Sequence, residues 1–127
     1  QKLIIFDDVA PSGELSNKQT GIISKFVMVG RHILVNQIYT AQKTSLLGTN
    51  IRSNLTCAIV FNTTLQELEL LERSNNFLNS KKGFFKMFRD NVKSNRDFLI
   101  INYSNPLETM YMNKFFQPID ITPYMNL

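Results

Sequence analysis

Apolar and polar positions change rhythm along the chain, and each rhythm predicts an element. Leu3-Ile4-Ile5-Phe6 is an unbroken apolar run that ends on Asp7-Asp8. A run without alternation predicts a strand buried on both faces, as in parallel sheets. Val9 to Gly13 reads as a loop by its Pro11 and Gly13. From Glu14 to Val29, the residues Leu15, Ile22, Ile23, Phe26, Val27 and Val29 recur at close to helical spacing. Ser16 or Asn17 is a cap for that helix and Gly30 its stop. Gly30-Arg31-His32 follows as a polar junction, and Ile33 to Ala41 predicts a second buried strand that ends at Gln42.

The second half has the same alternation of elements. Lys43 to Thr49 is a loop with at most one helical turn, and Asn50 to Asn54 a short helix or a helix end. Leu55 to Asn62 is a third strand. Thr63 or Thr64 then caps a helix to about Arg73, with Glu67 completing a capping box. Ser80 opens another helix to about Val92, Asp97 to Tyr103 is a fourth strand, and Asn105-Pro106 is a turn. Met110 to Phe116 suggests a short hairpin partner, and the last eleven residues, with Pro118 and Pro123, an extended tail. Strands that alternate with helices predict an α/β fold with a mainly parallel sheet, the fourth strand and Tyr111-Met112 adding an antiparallel edge.

Composition sharpens this picture in a few places. The 127 residues are 43% hydrophobic and 19% charged, which suits one domain with one core rather than a disordered chain. No apolar run approaches the ~18 residues of a membrane helix, and no signal-peptide pattern is present. Cys57, the single cysteine, sits beside Ala58-Ile59-Val60-Phe61 and reads as a buried core thiol. One cysteine makes no internal disulfide or zinc cluster, which fits a reducing compartment. The net charge of +4 permits nucleic acid as a partner without demanding it. Lys81, Lys82, Lys86, Arg89, Lys93 and Arg96 are interleaved with Phe84, Phe85 and Phe88. Helical spacing puts the phenylalanines on one face, as core. It leaves Lys82, Lys86, Arg89 and Lys93 as a solvated face or as contacts to DNA phosphates. His32 has no Cys, His or Asp cluster near it and reads as structural.

Chemistry concentrates at strand ends. A strand that runs into two carboxylates places them at the carboxyl edge of the sheet, where open α/β sheets bind ligands. Asp7-Asp8 has the pattern of a Walker B strand, one acid for Mg²⁺ and its neighbour for the attacking water. The structural alternative is a helix cap. Gln42 is a second polar side chain at a strand end. None of the five glycines, at 13, 21, 30, 48 and 83, belongs to a G-x-x-x-x-G-K-[ST] phosphate loop. The chain also opens almost directly on a core strand, which suggests the C-terminal portion of a longer protein.

In order, the strand ending in Asp7-Asp8, the helix ending in Gly30-Arg31, the strand ending in Tyr39-Thr40-Ala41-Gln42 and the segment Ile51-Arg52-Ser53-Asn54 form a series. It resembles the second half of the motor domain of FtsK–HerA ATPases, most closely the viral branch. That branch is the genome-packaging ATPases of poxviruses and related large DNA viruses. The resemblance spans about Leu3 to Asn62 and beyond that rests on the order of elements. It implies a RecA-like, P-loop NTPase fold, a mostly parallel sheet flanked by helices, as a partial domain without its Walker A portion. Residues 1–62 would run from Walker B to sensor, and 63–127 would hold helices, last strand and tail. It implies ATP and Mg²⁺ as cofactors of the complete protein, with Asp7 the Mg²⁺-associated acid and Asp8 in the catalytic position, where many relatives carry Glu. Gln42 resembles the γ-phosphate sensor, and Arg31 or Arg52 an arginine finger. Implied partners are double-stranded DNA, further copies of the chain in a ring, and capsid proteins. The implied place is the host cytoplasm or the virion. Without a phosphate loop, the 127 residues alone are expected not to hydrolyse ATP. The alternative is a non-enzymatic α/β domain that binds nucleic acid or protein.

Overall fold

In the computed structural model, which describes residues 2–7, 22–30 and 32–127, the apolar run at the start of the chain is strand β1, Lys2–Phe6. It pairs in parallel with β2, Val35–Tyr39, so that Phe6 lies opposite Tyr39 at the carboxyl ends of both. Helix α1, Ile22–Gly30, a 3-10 turn at Thr44–Leu46 and helix α2, Thr49–Asn54, complete a first unit, Gln1–Leu55. Its core is Val27 and Ile51, with Ile23, Tyr39, Leu46, Leu47 and Leu55 around them. The Phe6 ring stacks on Tyr39 at 4.9 Å and meets the edge of Phe26 at 6.5 Å. Gln37 lies on the same strand face. Its amide donates to the Phe26 carbonyl at 3.3 Å and its oxygen accepts from the Tyr39 hydroxyl. Gly30 ends α1 against this amide, which a Cβ at that position would strike.

Two expectations change here. β1 is not buried on both faces: Leu3 and Ile5 are 56% and 58% exposed, as is Ile38 of β2 at 47%. Among the described residues the sheet has two strands, and α1 meets the face that carries Phe6 and Gln37. β2 also starts later than Ile33. The amides of His32 and Ile33 donate back to Val29 and Gly30, and Leu34 takes a positive φ of 56°, so a tight turn occupies the first residues of the apolar run.

The second unit, Thr56–Leu127, is built on an antiparallel sheet in the order β3-β4-β5. These strands are Cys57–Phe61, Phe98–Asn102 and Tyr111–Met112. The antiparallel edge expected at Tyr111-Met112 is therefore present. The third strand, however, pairs antiparallel with the fourth rather than extending a parallel sheet. Helices α3, Leu65–Asn75, and α4, Lys81–Asn91, start where capping chemistry predicts. Thr64 accepts from the Glu67 amide at 3.4 Å, and Ser80 from the Gly83 amide at 2.9 Å. Phe84, Met87 and Phe88 of α4 are buried in one cluster with Leu68, Leu78, Leu99, Ile101 and Tyr111, which is the core role expected of the aromatic stripe.

Asn75, buried at the end of α3, joins this core to the sheet. Its side-chain oxygen accepts from the Tyr103 hydroxyl at 2.5 Å and its backbone carbonyl from the Tyr111 hydroxyl at 2.5 Å. Burial pushes both phenols up to about 12. Cys57 is exposed, contrary to expectation. β3 alternates, with Ala58 and Val60 toward the core and Cys57, Ile59 and Phe61 outward. The end of the chain is not a simple extended tail. A short helix α5, Leu107–Met110, precedes β5, and Pro118 bridges back to Met112. Ile119 and Ile121 are buried in the core, and helix α6, Thr122–Met125, rests on α4 at Gly83.

Candidate active site at the ends of two parallel strands

Parallel pairing brings the carboxyl ends of β1 and β2 to the same edge. Asp7 follows Phe6, Thr40 follows Tyr39, and Phe6 faces Tyr39. The Thr40 amide donates to the Phe6 carbonyl at 3.1 Å, which carries the pairing one residue past β2. The Thr40 hydroxyl then donates to Asp7 Oδ1 at 2.6 Å. This is a charge-assisted hydrogen bond, short and directional, and it fixes the carboxylate at the sheet edge. Asp7 itself stays exposed, so the carboxylate faces solvent. In the sequence Thr40 belongs to the strand end Tyr39-Thr40-Ala41-Gln42 and reads as one more β-branched residue without a role of its own. Its signal was positional: it follows its strand as Asp7 follows its own.

The other expected site residues are placed as follows. Gln42 is exposed in a bend two residues beyond Thr40. Arg52 is half-buried on α2, and its Nε is buried with no hydrogen-bond partner among the described residues. Asp8 and Arg31 lie outside the described residues. His32 is exposed in the turn after α1. Among the described residues no group of three His, Cys, Asp or Glu could hold a metal ion. A magnesium site of the nucleotide kind needs no such group. It uses one or two hard oxygen ligands and completes its shell with water and substrate phosphates. The exposed Asp7 carboxylate, held by the Thr40 hydroxyl, is a donor of that kind.

The basic helix α4 presents Lys82, Lys86 and Arg89 to solvent, opposite its buried phenylalanines, and Lys93 follows the helix, also exposed. It is a face of mixed sign. Lys86 bonds Asp90 at 2.8 Å one turn along, and Lys81 pairs with Glu69 at 3.5 Å. Lys86 lowers the Asp90 carboxyl below its ordinary value through that hydrogen bond, with Tyr124 adding a second. No helix among the described residues is long and apolar enough to cross a membrane.

Comparison with known proteins agrees with the family resemblance read from the sequence. The family model described as poxvirus A32 protein matches residues 1–112. Among solved structures, the genome packaging NTPase B204 from Sulfolobus turreted icosahedral virus 2, in complex with ATP-gammaS, is similar at 18% identity and a TM-score of 0.63. The same protein in complex with AMPPCP gives 17% and 0.64. The DNA-packaging ATPase B204 from Sulfolobus turreted icosahedral virus gives 17% and 0.65. Each match covers 92% of this chain and 52% of the other, so the chain spans about half the length of these relatives. No curated protein matches significantly.

Proposed function

Because the chain belongs to the poxvirus A32 protein family, we propose that it is part of a viral genome-packaging ATPase that moves double-stranded DNA. The observation that carries this reading is the Asp7–Thr40 pair at the shared carboxyl edge of two parallel strands. Open α/β sheets bind nucleotides at that edge. In this reading Asp7 holds Mg²⁺, which neutralises phosphate charge when bound. Asp8 orients or deprotonates the attacking water, and Gln42 senses the γ-phosphate. Arg31 or Arg52 reaches the nucleotide of a neighbouring copy in a ring. The half-buried Arg52, with an orphan Nε, is a group that would gain from an acceptor. Lys82, Lys86, Arg89 and Lys93 contribute contacts to DNA phosphates. The chain supplies the Walker B and sensor part of a mostly parallel RecA-like sheet, 1–62, and the helices and tail, 63–127. The phosphate loop comes from a segment outside the 127 residues. Capsid proteins, and the host cytoplasm or the virion, belong to the same reading.

The test is DNA-stimulated ATP hydrolysis by a longer form of the protein that carries a phosphate loop, beside the 127-residue chain. Turnover is expected in the longer form and none in the shorter. Asp7→Asn and Asp8→Asn are each expected to lower turnover by ~10²–10⁴ while DNA affinity is unchanged. A longer form that is folded and hydrolyses nothing, or Asp7→Asn at wild-type turnover, sinks the reading. The surviving account is then an α/β domain that binds nucleic acid or protein.

A further inference from the structure

We infer that the turn Asn113–Gln117, together with the loop 93–96, forms a DNA contact in which Phe115 and Phe116 lie against base faces and Lys93 and Arg96 meet phosphates. The inference rests on the packaging reading for the identity of the polyanion, and on this structure for the surface.

The turn is built to hold its shape. The Asn113 amide donates to the Gln117 carbonyl at 3.0 Å, and the Phe116 amide to the Asn113 carbonyl at 2.9 Å. The Asn113 side-chain oxygen accepts from the amides of Phe115 at 2.9 Å and Gln117 at 3.2 Å. At its tip Phe115 and Phe116 are each 69% exposed. Phe116 takes a φ of 61°, a region that bulky side chains rarely enter. The two rings remain mostly in water, so their burial contributes little to the fold. Strain and exposed apolar area retained together point to a binding role.

The surroundings of the rings indicate the partner. Asp97 is buried and links two loops. One oxygen accepts from Lys114 Nζ at 2.6 Å, and the other from the amides of Lys93 at 3.1 Å and Ser94 at 2.9 Å. The Asn62 amide ties the same loop down, donating to the Asn95 side chain at 3.1 Å. Lys114 therefore answers the Asp97 charge and lies over the Phe115 ring at 5.3 Å. Lys93 and Arg96 are exposed on the loop that Asp97 links to the turn, and they add positive charge to that loop. Lys86 on α4 is held by Asp90 in a hydrogen bond, and Asp90 feels the Lys93 charge as well, whereas Arg96 bonds Ser94 only through its backbone amide. Cations beside exposed aromatic faces match a ligand that carries phosphates and flat bases. Rings of this kind stack on unpaired bases or wedge between base steps.

The experiment is fluorescence anisotropy of the 127-residue chain on labelled single-stranded and duplex oligonucleotides, from 50 to 200 mM salt. Phe115→Ser with Phe116→Ser is expected to weaken single-strand binding about tenfold without changing the salt slope. Lys93→Gln with Arg96→Gln is expected to weaken binding and reduce the slope on duplex by about 1.8, at ~0.9 per phosphate contact. Both pairs are exposed, and unchanged circular dichroism checks that each variant is folded. Wild-type affinity in the phenylalanine variant overturns the proposal, as does a wild-type chain that binds neither oligonucleotide. A phenylalanine variant that alters sedimentation but not DNA affinity also overturns it, and assigns the rings to a second copy of the chain. The hydrolysis assay on Asp7→Asn fails or succeeds independently of these results, so loss of the packaging reading and loss of this surface are distinguishable.

Discussion

Thr40 illustrates how one hydroxyl gives a carboxylate a direction. An aspartate at the end of a strand can turn freely into solvent, and a 2.6 Å bond from the adjacent strand removes that freedom. A hydrogen bond to a charged group contributes ~1.5–3 kcal/mol. In a phosphate-loop-bearing form, Thr40→Val is expected to lower turnover at least about tenfold at nearly unchanged KM for ATP, and Thr40→Ser to restore most of it. Steady-state kinetics read this split, and a valine variant at full turnover removes Thr40 from the site. Asp97 is a second residue whose neighbours set its chemistry. The Lys114 ammonium, then the Lys93 and Ser94 amides, lower its carboxyl to about 2. A depressed folded-state value means that the ionised form is stabilised in the fold. That stability is present above the ordinary value near 3.8 and is lost as pH falls toward 2. Urea unfolding between pH 7 and pH 2 is expected to show this loss, and Asp97→Asn to flatten part of it. Equal acid sensitivity in the variant would place the effect in other carboxylates.

At the scale of elements, α4 and α6 show how a glycine admits a neighbour. Gly83 lies in the first turn of α4, and a Cβ there would meet the backbone carbonyl of Tyr124. Alanine is the better helix former by about 1 kcal/mol. Overpacking against backbone costs ~1–3 kcal/mol, so the clash wins. Gly83→Ala is expected to destabilise the chain by about 1 kcal/mol and to lift α6 off α4. Denaturant unfolding and tyrosine fluorescence of Tyr124 check this, and a stabilised variant would show that α6 can shift at no cost. Helix starts were legible because they depend on neighbours in sequence: Thr64 and Ser80 accept from amides three residues on. The end of the chain was harder. Ile119 and Ile121 sit among prolines and polar residues, without a periodic pattern, and only docking on the core identifies them as buried.

For the whole molecule, apolar strand faces remain exposed in each unit, Leu3, Ile5 and Ile38 in the first and Ile59 and Phe61 in the second. Such faces accord with the proposed place of the chain within a larger sheet, since soluble domains rarely leave contiguous apolar area uncovered. The sequence by itself determined the alternation of strands and helices, the caps, the aromatic core face of α4, and a strand that delivers Asp7 to a sheet edge. All of these follow from side-chain periodicity and local hydrogen bonding. Tertiary structure decided what depends on contacts distant in sequence. It paired β3 antiparallel with β4, turned Cys57 outward and folded the chain end onto the core. It also joined Asp97 to two loops and placed the Thr40 hydroxyl on Asp7, thirty-three residues away. Strand direction and partner choice are set by the packing of whole faces, and no local pattern encodes that packing.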